Sequence, residues 1–213
     1  MSLPMLDGAV LAGADGLLGV DGMQGRRLTM DFERNCIEIA ESEGARRLRG
    51  WSTIQGELRF GNLVLIEGRI RGRRINILID TGAASNFANT ALLNALNVAT
   101  VSASSSSNET MRAYTAGAPI LLDTAMIVPE IDFGAVVARN VLAYVGDFHI
   151  FDVWGLNDEP TLLVGMDVLT QSYGLSIDYG RGTVHFRFEE PANSGSRIRG
   201  SNSNSVTSIR SDR

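Results

Sequence analysis

The chain has 213 residues, 44% of them hydrophobic and 20% charged, with a formal net charge of −5 and a mean hydropathy of +0.04. That length supports a buried core and one or two domains, and no apolar run approaches the roughly 18 residues that a membrane-spanning helix needs. The acidic balance argues against a nucleic-acid binder, because phosphate contact needs a surplus of positive charge.

In chain order, the first segment, MSLPMLDGAVLAGADGLLG, lacks a basic leader and is interrupted by Asp7 and Asp15. It does not read as a signal peptide, and the compartment stays open. Gly13 to Gly19 has the wrong spacing for a dinucleotide loop and no strand before it. Cys36 is the single cysteine, which excludes an intrachain disulfide and a cysteine-based metal cluster. The β-branched runs 62–70 and 74–80 around Gly72 predict a hairpin. The run is dense in arginine at Arg69, Arg71, Arg73 and Arg74, read as a solvated hairpin surface.

A short helix is predicted over 90–96, a serine-rich loop over 102–108 and a strand over 136–145. Phe151 and Trp154 read as core or interface anchors. His149 and His185, the two histidines, are far apart and have no cysteine beside them, so no zinc site is expected. From Pro191 onward the chain is Ser, Asn, Gly and Arg with few apolar residues, and 191–213 reads as a disordered polar tail.

An internal repeat organises the rest. Gly19, Asp21, Asp31 and Ile37 match Gly165, Asp167, Asp178 and Val184, at an offset of 146 residues for the first two pairs and 147 for the last two. Each copy reads as an apolar strand, Gly-x-Asp, a short helical turn and a two-strand hairpin. About 115 residues of further strand-like sequence precede the second copy but almost nothing precedes the first. The expected organisation is therefore 1–45 as the end of one lobe and 50–190 as a complete lobe. Asp21 and Asp167 are expected to cap their helical turns, and Asp31 and Asp178 to be structural.

The sharpest local signal is Ile77-Leu-Ile-Asp-Thr-Gly-Ala-Ala-Ser85. Three apolar residues enter the core, and the strand ends in a carboxylate, a hydroxyl, a glycine and small residues. Such a carboxylate is costly unless paired, hydrogen-bonded or protonated. One role is a strand-end carboxylate capping a turn. The other is half of a pair: two facing carboxyls share one proton and activate a water between them.

Asp80-Thr81-Gly82-Ala83, followed by Leu163-Val-Gly-Met-Asp167 and the closing strands at Ile177-Asp178 and Val184 to Phe186, resembles a retropepsin-like (retroviral-type) aspartic protease, a relative of the pepsin lobes with bacterial two-lobe members. The resemblance implies an all-β fold, a β-barrel lobe with one or two short helices. It implies Asp80 as the catalytic aspartate, Thr81 holding two active-site loops together, and Gly82 and Ala83 shaping the loop. A flap is implied over 109–118, with Tyr114 and Gly117 as its candidates. It further implies an extended polypeptide as substrate, no metal or organic cofactor, and a second aspartate from a homodimer partner or a missing lobe. Because Asp-Thr-Gly occurs once, the alternative is a catalytically silent module used for dimerisation or peptide binding.

Overall fold

In the computed structural model, residues 18–43, 50–59, 61, 63–102, 111–113, 120–188 and 208–211 are described. The expected flap residues Tyr114 and Gly117 lie outside them.

The molecule is mostly strand. A short 3-10 turn (Val20–Met23) leads into a hairpin of β1 (Arg26–Asp31) and β2 (Cys36–Glu41). After it come β3 (Trp51–Gln55) and β4 (Glu57–Arg59), then the predicted hairpin of β5 (Leu63–Ile70) and β6 (Arg73–Ile79). Its connection, Arg71-Gly72, has φ of 50° and 77°, both left-handed, as the tight two-residue turns matched to strand twist require.

Next are β7 (Asn86–Ala88), α1 (Thr90–Leu96), β8 (Thr100–Ser102), β9 (Met111–Ala113) and β10 (Ile120–Leu122). The long antiparallel pair β11 (Thr124–Asp132) and β12 (Val136–Val145) follows, then α2 (His149–Val153) and β13 (Thr161–Val164). One turn of helix, α3 (Met166–Leu169), precedes the last hairpin, β14 (Gly174–Asp178) and β15 (Thr183–Arg187). Within the polar tail, β16 (Ser208–Ser211) pairs with the first half of β12.

Six strands close on themselves in the order β12-β7-β13-β6-β5-β11, with β11 returning to β12. Closure leaves these six without a free edge. Ile66, Ile77, Leu162, Val141, Ile131 and Met126 fill the interior at 1% exposure or less. A second sheet, β2-β1-β14-β15-β3, lies against it. Leu28 from β1 and Met23 from the 3-10 turn join Ile177, Val184 and Phe186 in the same core cluster, so the N-terminal hairpin shares the core of the strands that follow it.

Candidate active site

The site begins with the pairing of β6 and β13. They run parallel, Ile79 opposite Val164, and the Asp80 N–H donates to the Val164 carbonyl at 3.0 Å. Strand β6 therefore delivers Asp80 to the end of the barrel beside the Gly165 turn. The following loop is clamped on that turn: the Met166 N–H donates to Ala83 O at 2.8 Å and the Asp167 N–H to Ala84 O at 3.2 Å. Gly165 makes this approach sterically feasible, since a Cβ there would lie 2.3 Å from Ser85 O.

Asp80, Thr81 and Ala83 are half-buried and Gly82 is exposed. The Gly82 N–H donates to Asp80 Oδ1 at 2.8 Å. Burial raises the Asp80 carboxyl above its ordinary value, and the N–H groups of Gly82 and Ala83 only partly oppose that. Gly82 is not among the residues with left-handed backbone. Its place is explained by close approach instead, because a Cβ would sit 3.2 Å from Asp80 Oδ1. The buried Tyr179 phenol lies near enough that the Asp80 charge adds to the effect of burial in raising its pKa.

Two buried asparagines that sequence reasoning missed bracket β13, Asn86 at its Gly165 end beside the Asp80 loop and Asn89 at its Thr161 start. Asn86 Oδ1 accepts from the Gly165 N–H at 3.0 Å, while its Nδ2 donates to Leu142 O at 2.9 Å and Asp167 Oδ2 at 2.8 Å. Asn89 caps α1 by accepting from the Leu92 N–H at 2.9 Å. It also accepts from the Thr161 N–H at 3.1 Å and donates to Leu156 O and Glu159 O, both at 2.7 Å. Both asparagines are fully buried, and a buried amide needs this many partners to offset its desolvation. The only sequence signal was their spacing of three around Phe87-Ala88 ahead of a helix.

The expected caps are placed differently. Neither Asp21 nor Asp167 is the N-cap; those positions are Gly19 and Gly165, and each aspartate lies inside the first turn. In each Gly-x-Asp the glycine takes the cap position and the aspartate falls two residues further along, inside the first turn. Asp167 is pushed up to about 6, first by burial and against the pull of the Val168 N–H and the Asn86 amide. Asp31 is lowered, first by the Arg34 N–H, and pairs with Arg187 at 3.0 Å. Asp178 accepts from the Ser42 hydroxyl and the Gly180 N–H. His185 is held between the hydroxyls of Thr53 and Thr183. Among the described residues no group of three or more His, Cys, Asp or Glu could hold a metal ion, and no helix is long and apolar enough to cross a membrane.

Residues 66–168 match the family model for aspartyl proteases. This stretch, just under half of the chain, runs from β5 through the Asp80 loop to α3, and with the closed barrel of six strands it supports a retropepsin-like, all-β fold. Among solved structures, a retropepsin-like aspartic protease from Rickettsia conorii is similar at 18% identity and a TM-score of 0.40, over 65% of this chain and 91% of that one. No curated protein matches the chain.

Proposed function

We propose that the protein is an aspartic endopeptidase in which Asp80 is one half of an acid–base pair and the other carboxylate comes from a second lobe, on a partner copy or elsewhere. The observation that carries this reading is the placing of Asp80. It is a half-buried carboxyl of raised proton affinity, at the end of a core strand, on a loop bonded to the Gly165 turn.

Two such carboxyls face to face share one proton. The ionised one takes a proton from a water between them as the water oxygen bonds to the scissile carbonyl carbon. The protonated one gives its proton to the carbonyl oxygen, which leaves a neutral gem-diol. In the second step the first carboxyl protonates the amide nitrogen, the other takes a proton from a diol hydroxyl, and the C–N bond breaks. The pair then holds one proton again. Gly82 and Ala83 N–H groups steady the ionised form of Asp80, and Thr81 joins its loop to that of the second lobe. An extended polypeptide is the substrate, bound by strand addition.

Cleavage of an unfolded protein by wild type and Asp80→Asn, from acidic to neutral pH, tests this. Wild type is expected to cut, and the variant to lose about 100-fold or more. Equal cleavage by both would overturn the role of Asp80. A second reading, a catalytically silent peptide-binding module, is favoured by the single Asp-Thr-Gly in 213 residues. It predicts binding without turnover at every pH and concentration.

A further inference from the structure

One apolar row crosses the outer face of the barrel in register. Leu65 pairs with Leu78, Leu78 with Leu163, Leu163 with Phe87 and Phe87 with Tyr144, through β5, β6, β13, β7 and β12. The residues next to them in each strand, Ile66, Ile77, Leu162, Ala88 and Ala143, fill the interior, so the row points outward. Asp80 stands two residues beyond Leu78, on the same face by alternation, and its N–H still bonds to Val164 O on β13. The row therefore runs about 7 Å from the Asp80 position, two strand residues at about 3.3 Å each.

The chain covers this row itself. Phe151 of α2 (His149–Val153) is 0% exposed and packs with Leu78 and Leu163, which keep 2% exposure each. Ile150, Trp154 and Ala83 of the Asp80 loop stand half-buried at the margin of the same cluster. Both ends of the covering segment are tied down. Asp147 accepts from the Thr90 N–H at 3.2 Å, and the Glu159 carboxylate accepts from the Asn76 amide at 2.6 Å, on the strand that leads to Asp80. The segment between them is thus fixed over the floor beside the carboxyl.

We infer that α2 decides which substrate side chain is accepted beside the scissile bond: Phe151 occupies the apolar floor that a large side chain would need, so the substrate residue lying over β6 and β13 must be small, glycine, alanine or serine. The inference rests on the aspartic-peptidase reading and adds the substrate class. An extended peptide turns alternate side chains to opposite sides, so one residue flanking the scissile bond faces this row. Were the row open, Leu78 and Leu163 would receive that side chain. With Phe151 seated, it meets only the margin of Ala83, Ile150 and Trp154.

Wild type, Phe151→Ala and Phe151→Leu are given a library of unfolded peptides, mass spectrometry reads the cut sites, and a melting curve checks each fold. Wild type is expected to favour alanine over phenylalanine at one position flanking the cut by about tenfold or more in kcat/KM, and Phe151→Ala to reverse the order. Phe151→Leu, the smaller truncation, should move the preference part of the way. Val153→Ala, on the exposed side of α2, should leave it unchanged. The same peptides, fluorescently labelled, are bound to Asp80→Asn with and without Phe151→Leu, and anisotropy gives dissociation constants without turnover. Equal cutting at small and large residues by wild type, or a folded Phe151→Leu that keeps the wild-type preference, overturns the inference while the peptidase reading stands. If nothing is cut but alanine peptides bind more tightly than phenylalanine peptides, and Phe151→Leu narrows that gap, the peptidase reading fails and the role of Phe151 stands. If nothing is cut and nothing binds, both fall.

Discussion

A methyl group at Gly165 would lie 2.3 Å from the carbonyl oxygen of Ser85 and 2.8 Å from that of Ala83, both backbone atoms that move only with the whole Asp80 loop. Gly165→Ala should therefore cost about 1–3 kcal/mol of stability in urea denaturation, as overpacking does, and reduce any cleavage activity with it. Gly82→Ala should be milder for the fold, because its Cβ meets only the Asp80 carboxylate at 3.2 Å. Asn86 makes the complementary case. Asn86→Ala leaves the buried Gly165 N–H without its acceptor, a loss of about 1–3 kcal/mol. Asn86→Asp should be no better, since it sets a second carboxylate against Asp167 Oδ2 and removes both donated bonds. The Asp-Thr-Gly motif was legible because its residue types are unusual after a buried strand. Asn86 was not, because nothing local separates a buried asparagine hub from a loop asparagine; its partners lie 56 to 81 residues away.

Leu28 on β1 is 6% exposed and faces Ile177 across the pairing with β14, whereas Ile37 on the neighbouring β2 is 64% exposed. Truncation of the first to alanine should cost about 2–5 kcal/mol, and of the second within about 0.5 kcal/mol. Chemical denaturation of the two variants checks both. If Leu28→Ala were as mild as Ile37→Ala, the N-terminal hairpin would not be part of the folded core. Elements whose faces are set by their own sequence were readable: the β5–β6 hairpin around Gly72, β12 over Val136–Val145 and α1 over Thr90–Leu96. Neighbours were not. Alternation tells which face of a strand is buried, but not that β12 lies parallel to β7 or β13 parallel to β6. The repeat marked the β1–β2 and β14–β15 hairpins as equivalent, but not that β1 and β14 would pair with each other.

Protons are held differently by the folded and unfolded forms of the whole molecule. Asp167 is pushed up to about 6 and Asp80 is raised as well, in both cases chiefly because burial disfavours the charged carboxylate. Between the ordinary value of 3.8 and its raised value, each binds more protons folded than unfolded. Stability contributed in this way is full below that window and falls as pH rises through it. His185 works in the opposite direction: burial lowers it from 6.5, so the unfolded chain binds the extra proton and stability falls as pH drops below that value. Asp31, held below 3.8, adds stability that is lost only when pH falls through its lowered value. A single stability curve mixes these slopes, but a difference between variants separates them. Asp167→Asn keeps an acceptor oxygen for the Asn86 amide and removes only the charge, and His185 and Asp31 cancel in the comparison. The variant should gain on wild type as pH rises from about 4 to about 7, most steeply around the raised Asp167 value. Asp80→Asn should gain in the same direction, and the double variant should lose nearly all of the decline, provided the two carboxyls titrate independently. A wild-type advantage that instead grows with pH would mean that the fold favours the Asp167 carboxylate, and that the turn behind the Asp80 loop is built around a charge rather than despite one.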